Sequence, residues 1–497
     1  MVIGIIILYM LVVLGIGVWS MRQTKSSSDF FIAGKQLGLI AVALASFSAA
    51  ISGFVFVGGP GIAYSLGMGT LWLTFPTSIS FAMAWLILGK RMRLLADTHD
   101  AMTVPDALHA RFDDGKVSGL AAVATIIGLV LYLATQISAF AFILGPIFGI
   151  GFYTAVIIGM AIVLVYSAMG GMIAGVYTDV FQGSIMAIAS LAVFIFTLKA
   201  GGGMSNITTT LAQEVGPDFV GPWGLVPATL AMGWFFCLAI GIVGQPQLLH
   251  KFYMFKDIKK MKWGPLMAAI PAMLTGLLWM GVGLVVRYLA VTGKLPEPAM
   301  ELMNKSADNA IAVFLNNYTP KFLAGIIFAG IASAVMSTAD SFINIASAAA
   351  VRDIPKAFGK KVSSEQELKW GRIAVVVLSI LTVIISFTFG TKGIAILGAF
   401  GWGTFAAALA PALGIGLNWK RATKTAAFWS ILIGLGLNVI LEIGSKMGMA
   451  FYVNIFKPLG IYNGTFSMVV STILFILISY ATSPREISQD LESVMDA

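Results

Sequence analysis

The sequence predicts an all-α integral membrane protein of about thirteen transmembrane helices, the second and seventh of them broken. Three observations predict it. Hydrophobic residues fill 58% of the 497 positions and charged residues only 11%, against about a quarter charged in a soluble domain. That is too little polar side chain to cover a water-facing surface. Apolar runs recur at close to bilayer-crossing length and lack the period-two alternation of a barrel strand. Basic residues gather on every second connection.

The runs cover 2–20, 36–65, 68–90, 117–148, 152–170, 177–199, 225–249, 264–292, 320–351, 370–390, 393–416, 423–445 and 462–482. A segment in hydrocarbon satisfies its backbone internally, so runs of this kind are helices. The first, Val2–Trp19, has no basic segment before it and no small-residue cleavage site after it, and reads as a helix and not as a signal peptide. Of the 31 Lys and Arg, 23 lie on the side reached by the odd-numbered runs. They include Arg91 and Arg93 after the third, Lys251 and Lys256 after the seventh, Arg352 and Lys356 after the ninth, and Lys420 after the eleventh. The positive-inside rule then sets the N-terminus outside and the C-terminus in the cytoplasm. The net charge of +9 is therefore a topology signal, and no basic–aromatic interleaving points to nucleic acid.

The layout is a single polytopic transport domain, 1–497. Residues 1–20 form an extra N-terminal helix, 36–416 a repeat core, 423–482 two C-terminal helices, and 483–497 a polar cytoplasmic tail with a frayed end. The connection 294–319 has room for a short surface helix around Asn309–Asn317. Cys237 stands alone in an apolar run, which excludes disulfides and thiolate metal sites. His99, His109 and His250 fall in polar connections and make no zinc set. There is no nucleotide-binding loop and no His- or Cys-based nucleophile–base pair, so neither an enzyme nor an ATP-driven pump is expected.

The ninth run carries ASAVMSTADS at 332–341. Residues three and four apart share a helix face, so Ser337, Asp340 and Ser341 form one stripe, with Thr338 beside it. Hydroxyls in such a run can simply bond back to their own carbonyls. A carboxylate there is costly and marks a functional site, and hard cations prefer oxygen ligands. The second run contains FSAAISGFVFVGGPG (47–61) and the seventh AIGIVGQPQ (239–247). Gly and Pro interrupt both, which is either a plain kink or a binding site built on unwound backbone. The two runs lie five apart, and an odd repeat length inverts the second copy, so an inverted five-plus-five core fits. In YSAMGGMIAGVYTDVFQ (166–182), Gly170, Gly171 and Gly175 suit close packing or a turn. Asp179 there is a candidate cation ligand or a helix N-terminal acid favoured by the dipole.

These strings together resemble the sodium/solute symporters, the family of sodium/proline, sodium/pantothenate and sodium/glucose carriers. DFFIAGKQLG (29–38), SGFVFVGGPG (52–61), TVPDALHARF (103–112), YSAMGGMIA (166–174), GQPQLLHKF (244–252) and MSTADS (336–341) stand in order along the chain. The last two look most like the proline-type branch. The resemblance implies a LeuT-like inverted-repeat core and one Na+ between the second and ninth runs. Its ligands would be the carbonyls of Ser48, Ile51 and Ala334 and the hydroxyls of Ser337 and Thr338. It also implies a second cation or proton site at Asp179, Asp340 and Ser341, and solute contacts from Ser52, Phe54, Tyr132, Gln136 and Gln245. For Phe54 and Tyr132 packing competes with that role, and for the glutamines an interhelical hydrogen bond does. Two departures stand out: Ala50 replaces an acid of the proline carriers, and Leu238 and Ile242 replace an aromatic pair, with Trp234 one turn earlier.

The function expected is inward sodium flux driving uptake of a small organic solute by alternating access across a cell membrane, with proline or another small amino acid first. The alternatives are proton- or dual-coupled uptake of a monocarboxylate or similar organic anion, and a non-transporting sensor or channel on the same helices. The partners are the solute, sodium and the lipid bilayer, and nothing in the sequence sets the oligomeric state.

Overall fold

The computed structural model describes residues 1–21, 35–389 and 394–497. Those residues are helical almost throughout, with one isolated bridge between Leu37 and Phe255. Among the described residues, helix is found in every one of the thirteen apolar runs, nine stretches, ten with one bent pair, are long and apolar enough to cross a membrane, and the shorter apolar helices are Val2–Val13, Leu39–Ala50 and Phe152–Val165.

α1 is Val2–Met21. The second run is broken: α2 (Leu39–Ala50) ends at Ile51 in an extended conformation, and a π-helical turn, Phe54–Gly58, leads into α3 (Gly59–Leu66). The chain opens before the Gly-Gly-Pro-Gly, not at it. Pro60 lies in the first turn of α3, where a missing N–H is harmless. Gly53 and Gly59 are needed for close approach. A Cβ would lie 2.4 Å from the Ala139 Cβ at Gly53 and 2.3 Å from the Trp279 ring at Gly59.

The third run is α4 (Leu71–Ala84), a π-helical turn, and α5 (Lys90–Thr98). α6 (Val104–Phe112) is capped by the Thr103 hydroxyl, and α7 (Gly115–Phe148) by Asp114. Helix continues across the junction of the runs expected at 152–170 and 177–199, as α8 (Phe152–Gly201), with Phe152–Val165 and Thr178–Gly201 as its two apolar stretches. No proline lies between the two apolar halves, and Asp179 falls inside the helix and not at its start. At about 1.5 Å per residue this length exceeds a hydrocarbon core of about 30 Å twice over. The side chains of 166–175 and 177 lie outside the described set.

The seventh run is broken as expected, between α9 (Ala228–Gly241) and α10 (Pro246–Phe252), with a 45° bend at Gln245. α11 is Gly264–Val291. α12 (Ala310–Tyr318) corrects the surface helix expected near it, since Ile311, Val313, Phe314 and Leu315 are buried. α13 (Lys321–Ala348) carries the hydroxyl stripe, then come α14 (Ser364–Phe389), α15 (Ile394–Ala408), α16 (Lys424–Met447) and α17 (Asn463–Ala481). α13 is the centre, packed against α1, α2, α7, α8, α10 and α14. The apolar window of its span is 83% buried and that of α14 only 22%, so α14 offers its face to lipid.

The tail is not frayed. It forms α18 (Gln489–Met495), which buries Leu491, Val494 and Met495. Arg91 Nη2 donates to the Met495 carbonyl at 2.9 Å, and Lys420 pairs with Glu492 at 2.7 Å. Those contacts belong to an ionic network among the connections that follow odd-numbered runs. Lys35 and Arg93 meet Asp97, Arg485 meets Asp113, and Arg352 and Lys356 meet Asp106 at 3.0 and 2.6 Å. Burial alone would raise the Asp106 carboxyl, but the two cations hold it below its ordinary value.

Removing that charge leaves the half-buried Arg352 with only its longer pairing to Asp353, at 3.5 Å. Asp106→Asn is expected to cost about 3 kcal/mol and to lower the apparent unfolding temperature at pH 7. A folded-state value below the unfolded one means the stabilisation is present at neutral pH and is lost as pH falls below about 4. Wild type should therefore lose its advantage over the variant in acid. Equal unfolding temperatures at pH 7 would refute the assignment.

Candidate functional site

The site lies where the two breaks face α13. Ser333, Ser337, Thr338, Asp340 and Ser341 are all buried. Ser333 takes the local option and donates to its own Ala329 carbonyl at 2.8 Å. Its neighbours one turn on reach across. Thr338 Oγ1 donates to the Ser48 carbonyl at 3.3 Å, and Ser337 Oγ lies 3.1 Å from Ser48 Oγ. The Ser337 hydroxyl proton goes to a carboxylate oxygen of Asp179, which leaves Ser48 as donor in that pair. Ala334 and Ile51, the remaining expected carbonyl ligands, are buried. Carbonyl and hydroxyl oxygens converge here at the end of α2, a donor set that suits a small hard cation.

Asp179 and Asp340 bond to different partners. Asp340 accepts from Asn344 on its own helix at 2.9 Å. The second oxygen of Asp179 accepts from Lys251 Nζ at 2.9 Å, and both side chains are 1% exposed. Ser341 is buried on the same stripe. The sequence places Lys251 in a connection, since the apolar run closes at 249. The structure carries the helix on to Phe252 and buries His250 and Lys251 within it. The available signal was position: a cation within one turn of a Pro-interrupted apolar segment.

The expected solute residues surround the breaks and bond to one another. Gly53 N–H donates to Gln136 Oε1 at 2.8 Å, Gln136 Nε2 to Ser52 Oγ at 3.1 Å, and Ser52 Oγ lies 3.3 Å from the Tyr132 hydroxyl. The Tyr132 ring packs on Phe342 and Trp402. Gln245 Nε2 donates to the Trp402 carbonyl at 3.3 Å, and its Oε1 accepts from Gln247 at 3.0 Å. Phe54 packs edge-on against Trp279. Leu238 and Ile242 are buried in the wall of the second break. Three polar atoms in this layer are buried without a hydrogen-bond partner among the described residues: Trp402 Nε1, Trp279 Nε1 and Gln247 Oε1. Trp402 Nε1 lies 3.5 Å from where a Cβ on Gly241 would stand, directly over the second break. No sequence pattern singles out Trp402, Trp279 or Gln247, whose roles depend on which helices meet.

Comparison with known proteins agrees with this architecture. The profile of the sodium:solute symporter family matches residues 30–434. The osmoregulated proline transporter OpuE of Bacillus subtilis is 26% identical over 98% of this chain and 96% of its own length. The sodium/proline symporter of Haemophilus influenzae is 27% identical, covering 86% and 85%, and the sodium/pantothenate symporter of Escherichia coli 28%, covering 88% and 89%. Among solved structures, a Na+-coupled sialic acid symporter in a substrate-bound outward-open state superposes with a TM-score of 0.74 at 20% identity, over 98% of this chain and 99% of that one. Mhp1, a nucleobase-cation-symport-1 family transporter, superposes with a TM-score of 0.53 at 13% identity, over 95% and 99%. These two likenesses concern the fold. The chain belongs to the sodium:solute symporter family and is a multi-pass membrane transporter, not an enzyme, with sodium as its coupling ion.

Proposed function

We propose that sodium binds at the end of α2, held by the carbonyls of Ser48, Ile51 and Ala334 and the hydroxyls of Ser337 and Thr338, and drives uptake of a small polar solute. The observation that carries this is the approach of Thr338 Oγ1 and Ser337 Oγ to the oxygens of Ser48, at 3.3 and 3.1 Å. Oxygens ligating one small hard cation at about 2.4 Å stand about 3.4 Å apart along an octahedral edge. The solute lies between the breaks, against Ser52, Phe54, Tyr132, Gln136 and Gln245.

The orphaned Trp402 Nε1 and Gln247 Oε1 supply one donor and one acceptor, which suits a solute with both a carboxylate and an amine. A small amino acid is the first candidate, and the proline carriers among the relatives favour it. Ala50 brings no acid to the break, and Leu238 and Ile242 bring no ring, so the pocket differs from the proline-type pattern. Uptake driven by protons, or by sodium and protons together, would run through Asp179 and Asp340, whose described partners are Ser337 and Lys251 for the first and Asn344 for the second.

The ionic network among the odd-side connections supports an N-terminus outside and a C-terminus in the cytoplasm. The division into an N-terminal helix (1–20), a five-plus-five core (36–416), two further helices (423–482) and a tail (483–497) follows the two breaks.

Two measurements in proteoliposomes test the reading. Ser337→Ala with Thr338→Ala is expected to raise the sodium concentration for half-maximal uptake at least about tenfold, since each lost ligand bond is worth about 1–3 kcal/mol. Unchanged sodium dependence would remove these hydroxyls from the site. Trp402→Phe is expected to raise the solute KM about tenfold while leaving the sodium dependence in place. An unaltered KM across a panel of amino acids, monocarboxylates and pantothenate would place the solute elsewhere.

A further inference from the structure

The ammonium of Lys251 and the carboxylate of Asp179 lie 2.9 Å apart, each 1% exposed. Among the described residues no other ion pair reaches either. A carboxylate this deep needs a counter-charge. A mobile cation could supply it, but here the chain supplies it from its own α10. Both carboxylate oxygens are already engaged, one by Ser337 Oγ and the other by Lys251 Nζ.

We infer that Lys251 is a tethered cation that takes the place of a second sodium ion beside Asp179, so that this transporter moves one sodium with each solute. The inference rests on the sodium reading of Ser48, Ser337 and Thr338, and it changes what Asp179 does within that reading. With Lys251 present, Asp179 is neutralised, and a further monovalent cation on the same carboxylate would sit against an ammonium in a medium that screens poorly. Without it, the carboxylate and the Ser337 hydroxyl become oxygen ligands with a net negative charge, the kind of set a hard cation takes. Of the residues expected at a second site, Asp179 is thus open to a mobile cation only when the lysine is removed.

The position of Lys251 also couples the pair to both breaks. Ser48 on α2 bonds Ser337 on α13, Ser337 bonds Asp179 on α8, and Asp179 bonds Lys251 on α10. One line of polar contacts therefore runs from the first broken helix to the second. A sodium ion in the place of the ammonium would leave α10 unattached to that line. The lysine is a positioning residue for the half-helix as well as a counter-charge.

The test is a count of sodium ions. Radioactive sodium binding to the purified full-length protein, and the sodium dependence of solute uptake in proteoliposomes, are measured on wild type, Lys251→Ala and Lys251→Arg. Wild type and Lys251→Arg are expected to bind one sodium per chain, with uptake rising as the first power of sodium. Lys251→Ala is expected to bind two, with a steeper sodium dependence. Two sodium ions on wild type, or one on a folded Lys251→Ala protein, overturns the inference and leaves the sodium site at Ser337 and Thr338 intact. Sodium binding by none of the three overturns the sodium reading itself and the inference with it. A wild-type count of two overturns the inference even where Lys251→Ala does not fold.

Discussion

A peptide unit that leaves its helix inside a membrane protein loses its own partners and gains no water in return. The centre of this molecule is organised by how two such stretches are satisfied. At the first break the Gly53 N–H is taken by Gln136 Oε1, and the freed Ser48 carbonyl by Thr338. At the second, Gln245 donates to the carbonyls of Gly241 and Trp402. A buried donor or acceptor left alone costs about 1–3 kcal/mol, so each bond fixes a neighbour. α7 has to present Gln136, α13 Thr338 and α15 the Trp402 carbonyl at one depth. Gly53 follows from the same demand: a side chain there would push α7 away and strand the peptide.

Charge obeys a second demand, and the two kinds of ion pair answer it differently. At the end where the odd-side connections meet, the pairs of Lys420 and Arg485 are largely exposed. Such pairs contribute little to stability, and α18 is held there mainly by the buried Leu491, Val494 and Met495. Lys251 and Asp179 are fully buried. For such a pair desolvation offsets most of the attraction, so stability alone does not explain its presence. An apolar pair would fill the space as well. What an apolar pair cannot do is hold Ser337 by a charged acceptor beside the carbonyls of the first break.

How much of this was legible follows the length of the signal. Thirteen apolar runs can be read because each is long and the alternation of basic connections checks the count. The stripe on α13 can be read because an acid in an apolar run is rare. The two breaks can be read from Gly and Pro, although the first opens at Ile51, upstream of the glycines that drew attention. Short or tertiary features were not legible. α18 has seven residues, too few for a periodic pattern to stand out. α12 looked like a surface helix because only packing reveals that it is covered. Gly170 and Gly171 suggested a turn, yet helix runs through them, since glycine weakens a helix by only about 1 kcal/mol. Lys251 was missed for a related reason: its role depends on Asp179, seventy-two positions away.

The two half-helices that carry the ends of the polar line are themselves joined. Leu37, just before α2, receives the Phe255 strand-like pairing just after α10: its N–H donates to the Met254 carbonyl at 3.1 Å, and its carbonyl accepts from Lys256 N–H at 2.9 Å. Arg93 donates to the Phe255 carbonyl at the same corner. α2 and α10 are thus fastened outside the site as well as packed on each other. Opposite that pair of half-helices stand α8 and α13. The bonds across that seam are those of Ser48 with Ser337 and Thr338, and of Lys251 with Asp179. Sodium at the Ser48 carbonyl would add its charge to one end of the seam, while the tethered ammonium holds the other throughout. Loss of a single sodium would then weaken the closure at one point, and the half-helices, already tied to each other, could part from α8 and α13 as one body.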